Sequence, residues 1–470
     1  MAQSRQKQRL PIEKQTNRKG SSGRTDVEEA GGHVIVNGLA LSEQTVALLR
    51  EGAQEAAGHP LRSGPDSPLA RLIGAFVEET LKAEMQEHLG YDPHARRAHE
   101  ESTELESPRR RNTRNGYSDK RLKTSFGETS IKLPRDRSSE FEPLIVPKYG
   151  TLSEEISERI IGMYGGGMTT EDIAEHVRGL YQIEVSKSLV SRVVESIEPD
   201  LQAWRQRPLQ EIAPILYVDG IHLKIRQQGR IRSTAVYLAS AYTEEGQLEV
   251  IGVWIAPEDF STGQGESSSY WFEAMQELKN RGLREVLIAC VDGLAGLPEA
   301  IGAVWPAVEV LPCVVHLVRS TLRHVPQTRR RAVVQSLRSI YQAPSYEAAH
   351  TALSEAHRQW DSRYGTALKR WDTALEALRP LWGYSDALRK VVYTTNPQEN
   401  INRQIRKVTK NRGMFPSTES ALRLVTMAVQ RINTRNHQRG VRPDWSYILE
   451  DLHRTFGKRL PDEWGFRVRE

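Results

Sequence analysis

Between Ile212 and Cys313 the apolar pattern of the chain changes its period, and that change limits the folds open to it. "APILYVDGIHLKI", "RSTAVYLASAY" and "QLEVIGVWIAP" follow one another with turn signals between them, rich in β-branched and aromatic residues. Each reads as a strand. "SSYWFEAMQELKNRG" then reads as a helix ending at Gly282, "LREVLIACVDG" as a fourth strand, "LPEAIGAVW" as a helix and "AVEVLPC" as a fifth strand. Three meandering strands followed by alternating helix and strand predict one sheet with helices packed against it.

The flanks of this region are helical in pattern. "SPLARLIGAFVEETLKAEMQEHLGY" has Ser67 to cap it, Pro68 to start it and Gly90 to stop it, with Leu69, Leu72, Ile73, Phe76, Met85 and Leu89 near helical spacing. Residues 152–198 carry three short helical patterns. Thr169 or Thr170 caps the second and Ser186 the third. Helix, short turn, helix is the outline of a helix-turn-helix, whose last helix would present Lys187, Ser188, Ser191 and Arg192. A generic three-helix bundle has the same apolar pattern. Residues 317–390 read as all-helical, with Trp360, Trp371 and Trp382 as core residues.

The chain has 470 residues, of which 38% are hydrophobic, so a large core is possible; that length suits about three domains. The formal charge is only +5, yet the cations cluster, and clustering matters more than the sum for binding nucleic acid. Arg109, Arg110, Arg111 and Arg114 lie in one basic stretch, before a hairpin expected around Phe126–Gly127. Such a stretch is read equally as a phosphate contact and as a solvated loop. The two cysteines, Cys290 and Cys313, supply no disulfide framework, as expected of a reducing cytoplasm. The first residues have no apolar core for a signal peptide, and no apolar run reaches membrane-spanning length.

The order of strands and helices after Ile212 is that of a ribonuclease H-like domain. The expected fold class is therefore α/β and multidomain: a ribonuclease H-like catalytic domain interrupted by an all-α insertion. A mostly helical DNA-binding region with a helix-turn-helix would precede it. The boundaries are a disordered basic tail and linker at 1–66, a helix and basic hairpin region for DNA binding or dimerisation at 67–150, and the helix-turn-helix at 151–205. The catalytic domain occupies 206–316, the insertion 317–390, the returning catalytic helices 391–438, and a short irregular tail 439–470.

Three acids stand out against this frame. Asp219 lies in "LYVDG", Asp292 ends the fourth strand in "ACVDG", and Glu399 opens the helix after the insertion. Each has a plain explanation. Asp-Gly is a hairpin signal, an aspartate after a strand can start a loop, and Glu399 can be a capping-box acid behind Asn396 and Pro397. However, "RQQGR" supplies a better turn shortly after Asp219. That leaves Asp219 inside one long strand, where a buried unpaired charge is costly. Together the three acids meet the demand of magnesium for oxygen ligands. Phosphodiester chemistry commonly uses two such ions, about 4 Å apart. On the helix of Glu399, Ile401, Ile405 and Val408 form the apolar side, while Asn402, Arg403, Arg406 and Lys410 share the acid's side and could carry a DNA backbone.

At these residues the chain resembles the Mutator-type insertion-sequence transposases of bacteria, which have a DDE catalytic domain. The resemblance runs from about residue 69 to about residue 433. It is carried by "LKAEMQEHLGY", "RNGYSDKRLKTSFGE", "LPRDR", "FEPLIVPK", "YVDG", "LKNRGLREVLIACVDGL", "CVVHLVR" and "TTNPQENINRQIRKVTKNRG". It implies Asp219, Asp292 and Glu399 as the metal-binding triad, with two magnesium ions and manganese able to substitute. "CVVH" matches the family's Cys-x-x-His signature at Cys313 and His316. One cysteine and one histidine do not complete a tetrahedral zinc site, so the pair is read as structural, a buried cysteine and a satisfied histidine.

The function expected is binding of the element's terminal inverted repeats, metal-dependent cleavage, and transfer of a 3′-hydroxyl end to target DNA. The expected partners are double-stranded DNA and further copies of the chain, as a dimer or larger assembly in the cytoplasm at the nucleoid. Two alternatives stay open: a ribonuclease H-like nuclease that cuts without joining, and a non-catalytic DNA-binding regulator.

Overall fold

The computed structural model describes residues 29–30, 33–36, 39–56, 67–91, 112–146, 152–257, 267–393, 396–461 and Trp464. Contacts divide the chain into two compact units, Met1–Ile156 with Leu180–Ile183, and Ser157–Gly179 with Glu184–Glu470.

The first unit begins with short strands β1 (Glu29–Ala30), β2 (His33–Val36) and β3 (Leu39–Ser42), paired antiparallel in that order, and helix α1 (Glu43–Ala56). The sequence reading expected a disordered basic tail and linker over residues 1–66. The strands escaped it because runs of four residues are too short to display a period. Helix α2 (Pro68–Leu89) then packs on the antiparallel hairpin of β4 (Arg114–Thr124) and β5 (Gly127–Asp136). Its ends are as expected: Ser67 Oγ accepts the Ala70 N–H at 3.2 Å, and Gly90 turns out of the helix at a φ of 72°.

The face α2 buries is not the one its large apolar residues suggest. Ala70, Gly74, Val77, Leu81 and Met85 are buried, whereas Phe76 is 66% exposed. A β-carbon on Gly74 would stand 3.0 Å from Thr129 Cγ2. The small residues let the helix lie close on the hairpin, and close contact outweighs side-chain size in choosing the face.

Four helices follow: α3 (Glu154–Gly165), α4 (Thr170–Tyr181), α5 (Lys187–Glu195) and α6 (Glu198–Arg205). Thr169 caps α4 reciprocally. Its Oγ1 accepts the Asp172 N–H at 3.1 Å, and its own N–H donates to Asp172 Oδ2 at 3.2 Å. Ser186 caps α5 through the Leu189 N–H at 3.1 Å.

The second unit is built on a five-stranded mixed sheet. Its strands are β6 (Ile212–Gln227), β7 (Arg230–Tyr242), β8 (Leu248–Ile255), β9 (Glu285–Val291) and β10 (Glu309–Pro312), in the order β10-β9-β6-β7-β8. The first three meander antiparallel, and β9 and β10 run parallel to β6. The turn between β6 and β7 falls at Gln228 and Gly229, with φ of 47° and 77°, the positive values a two-residue hairpin demands. Asp219 is therefore inside a long strand, as its sequence context requires.

On one sheet face, Leu216 and Val218 pack with Trp271 and Met275 of α7 (Ser267–Asn280) and Ile301 of α8 (Leu297–Val304). The helical segment comprises α9 (Val314–Leu322), α10 (Gln327–Tyr341), α11 (Tyr346–Ala377) and α12 (Asp386–Tyr393). Trp360 and Trp371 are buried there, and the indole N–H groups of Trp371 and Trp382 reach Thr321 Oγ1 and the Ala343 carbonyl, each at 3.0 Å. Helices α13 (Asn396–Thr409) and α14 (Thr418–Gln438) return to the sheet. Asn433 of α14 exchanges hydrogen bonds of 2.9 and 3.0 Å with the backbone of Val250, satisfying the open edge of β8.

The expected irregular tail instead holds a helix, α15 (Trp445–Phe456), with Trp445, Ile448, Leu449, Leu452 and Phe456 buried. Those positions follow the helical period, so the signal was present in the sequence. Among the described residues no helix is long and apolar enough to cross a membrane.

Candidate metal centre

The parallel pairing of β6 with β9 sets Val218 opposite Val291, so the next residue on each strand, Asp219 and Asp292, comes to the same end of the sheet. Asp219 is 8% exposed and Asp292 half-exposed. Each carboxylate accepts the N–H of the glycine that follows it, Gly220 at 2.7 Å and Gly293 at 2.8 Å. These short contacts fix one oxygen of each acid.

Strand β10 ends beside them. The Cys313 N–H donates to the Val291 carbonyl at 2.8 Å, and Cys313 stands immediately before α9. His316 follows on the first turn of that helix. Its Nε2 lies 3.6 Å from Asp219 Oδ1 and its Nδ1 3.7 Å from Asp292 Oδ1. The satisfied histidine expected from the sequence is not what is found, because Nδ1 is buried with no hydrogen-bond partner. The Cys313 side chain is buried, and burial pushes its thiol up to about 11, with the Asp219 charge acting in the same direction. Asp219, Asp292 and His316 form a group whose ligand atoms all lie within 4.8 Å of one another.

Glu399 is outside that group. Its Oε1 accepts a hydrogen bond from Arg319 Nη2 on α9. The apolar side of α13 is as expected for Ile401 and Ile405, both buried, and Arg403, Arg406 and Lys410 are exposed. Asn402 departs from the cationic side on which it was placed. It is 5% exposed and donates Nδ2 to Asp219 Oδ2 at 2.5 Å, while its own Oδ1 is buried without a partner. A short amide one turn after Glu399 can turn inward, where the long cations cannot. α13 thus touches the aspartate pair through Asn402 and carries Glu399 one turn earlier.

Of the other expected DNA contacts, Arg109, Arg110 and Arg111 lie outside the described residues. Arg114 is engaged locally, with its guanidinium 4.8 Å from the centre of the Tyr91 ring and Nη2 donating to the Tyr91 carbonyl at 3.1 Å. On α5, Lys187, Ser188 and Arg192 are exposed and Ser191 half-buried; Lys187 pairs with Glu171 at 2.6 Å. The sequence reading missed a further basic surface. Beyond Asp219, His222, Lys224 and Arg226 alternate outward on β6, with Arg230 just past the turn. Alternation with Leu223 and Ile225 was the signal for it.

Two carboxylates, a histidine and two orphaned buried polar atoms, His316 Nδ1 and Asn402 Oδ1, fit a divalent cation. Oxygen donors suit magnesium or manganese, and the imidazole favours the latter.

The chain is also similar to known proteins. The family model described as "Transposase, Mutator family" matches residues 43–439. The chain is 35% identical over 399 residues to the transposase for insertion sequence element ISRM3 of Rhizobium meliloti, covering 84% of this chain and 94% of that protein. It is 33% identical over 304 residues to a probable insertion-sequence transposase of Corynebacterium diphtheriae, covering 64% and 87% respectively. It is also 27% identical over 327 residues to the transposase for IS256 in transposon Tn4001 of Staphylococcus aureus, covering 67% and 80%.

Proposed function

The chain belongs to the Mutator family of transposases, and from that premise we propose that it binds the ends of its own insertion sequence, cuts them in a metal-dependent reaction and joins them to target DNA. The observation that carries this reading is the convergence of Asp219 and Asp292 from adjacent parallel strands, with His316 between them. The strand order β10-β9-β6-β7-β8, with a helical segment before α13, supports a ribonuclease H-like catalytic domain with an all-α insertion.

Asp219, Asp292 and Glu399 are the proposed ligands, with His316 a further donor at the same place. A divalent cation held there supplies Lewis-acid stabilisation of the attacking and leaving oxygens. The chain's own part is positional. Gly220 and Asn402 fix both oxygens of Asp219, Gly293 fixes one of Asp292, and β6 and β9 hold the two acids in register. In the first step water attacks the scissile phosphorus, the P–O3′ bond breaks, and the 3′-oxygen leaves as a hydroxyl. In the second that hydroxyl attacks a target phosphodiester, and the target's 3′-oxygen leaves. Arg403, Arg406 and Lys410 on α13, and Lys224 and Arg226 on β6, are exposed cations suited to the phosphates on either side. Helices α4 and α5 serve as the helix-turn-helix that reads the terminal repeats. The protein acts as a dimer or larger assembly, because two ends must be brought together.

The test is to incubate the protein and magnesium with DNA carrying the element's own flanks and to map ends and joints. Cleaved ends together with joined products are expected. Cleavage without any joint would favour the nuclease reading, and binding without cleavage the regulator.

A further inference from the structure

We propose that Arg319 is a phosphate-sensing positioning residue. In the DNA-free protein it holds Glu399 away from Asp219 and Asp292, and a DNA phosphate that takes over its guanidinium releases Glu399 to complete the ligand set. This rests on the reading of Glu399 as a ligand.

Glu399 lies outside the Asp219–Asp292–His316 group and accepts a hydrogen bond from Arg319 Nη2. The other terminal nitrogen of the same guanidinium, Nη1, stands 3.5 Å from His316 Nε2. One side chain on α9 therefore touches both the acid held apart and the histidine between the aspartates. The side chains of Arg319 and Glu399 are 51% and 39% exposed, and an ion pair so open to water is weak and easily exchanged. Its cation does not stand alone. Arg319, Arg323 and Arg330 line one open pocket of about 370 Å³ together with Val315, Val318 and Leu322. A planar guanidinium pairs with phosphate in the same bidentate geometry that it uses with carboxylate. A duplex offering several phosphates to that pocket competes for Arg319 with more than one contact, whereas Glu399 offers only its own. When the guanidinium swings to the DNA, a carboxylate on the helix that already touches Asp219 through Asn402 is left without its cation. Metal binding then becomes the available way to neutralise it. The device makes assembly of the cutting site conditional on DNA.

The experiment is a manganese titration of the full-length chain, read by the electron-spin signal of free Mn²⁺. It is run alone and with a duplex carrying the element's terminal sequence; uptake by the DNA itself is subtracted with an Asp219→Asn, Asp292→Asn double variant. The wild-type chain is expected to bind manganese about tenfold more tightly with DNA, within the usual range of coupling between sites. Arg319→Gln is expected to bind it about tenfold more tightly than wild type in the absence of DNA, and to gain little from DNA. Arg319→Lys, which keeps the charge but loses the planar fork, should fall between them. Melting curves check that each variant is folded. If Arg319→Gln without DNA binds manganese no more tightly than wild type, while Glu399→Gln still weakens manganese binding in the DNA complex, Arg319 is not a latch and the reading of Glu399 survives. If Glu399→Gln changes manganese affinity in neither state, the reading of Glu399 fails and the proposal falls with it.

Discussion

Asp136 in the first unit and Asp219 in the second are both buried aspartates on β-strands, 3% and 8% exposed, yet their surroundings differ in kind. Asp136 Oδ2 collects four donors: Asn112 Nδ2 at 2.5 Å, Ser138 Oγ and the Glu140 N–H at 3.0 Å, and the Phe141 N–H at 3.2 Å. His88 stands 3.5 Å from the same oxygen. Burial alone would raise this carboxyl, but the hydrogen bonds win and hold it well below the usual range. Asp219 has one donor on each oxygen, and each of its two side-chain neighbours keeps an unpaired buried polar atom, His316 Nδ1 and Asn402 Oδ1. A saturated carboxylate ties a chain segment in place. An unsaturated one, beside a second acid and an imidazole, is a site kept for something else.

The largest effect should come from removing the charges at the unsaturated site. Asp219→Asn or Asp292→Asn should lower strand cleavage by about a thousandfold or more, since metal assistance is worth several kcal/mol. End binding and melting should stay near wild type. An asparagine variant that cuts normally would erase the contrast with Asp136.

Asp136→Ala should show the opposite pattern. It strands several donors at once and should destabilise the first unit by about 3 kcal/mol, seen as an earlier transition in a urea melt. The second unit's transition should not move.

Asn402→Leu is expected to lower manganese affinity or cleavage by about 10- to 100-fold, the cost typical of losing a group that orients a ligand. A wild-type rate here would mean that the Asn402–Asp219 bond only packs α13.

Asp136 should also give the first unit a pH dependence. The folded-state value of Asp136 is depressed below its ordinary 3.8, so its contribution is present above that pH and is lost as pH falls towards the folded value. Acid should therefore weaken the first unit of the wild type, and Asp136→Asn should flatten that part of the stability curve. The smallest effect is expected from Lys224→Ala and Arg226→Ala. Each should weaken binding to any duplex alike and reduce the salt slope by about one.

What the sequence disclosed and what it withheld follow from the range of each interaction. The strand-to-helix order after Ile212, the strand position of Asp219 and the burial of Trp360 and Trp371 rest on local period and turn chemistry, and a single chain displays these directly. The buried face of α2 does not, because two apolar rows adjoin on it and only the partner hairpin chooses between them. The inward turn of Asn402 and the Arg319–Glu399 pair are contacts between helices distant in sequence, and helical spacing on α13 alone could not reveal them. His316 was visible as half of a Cys-x-x-His pair. Its approach to the aspartates depends on β10 ending beside Val291, which is a property of the sheet and not of the motif.

The central claim, that Asp219 and Asp292 hold the metal that cuts DNA, is tested most directly by exchanging a ligand atom. Asp219→Cys and Asp292→Cys replace a hard oxygen with sulfur, which magnesium avoids and manganese tolerates better. Strand cleavage of end DNA should be lost in magnesium and recover at least about tenfold in manganese, with end binding and melting unchanged. Cysteine variants that cut in magnesium at the wild-type rate would contradict the account.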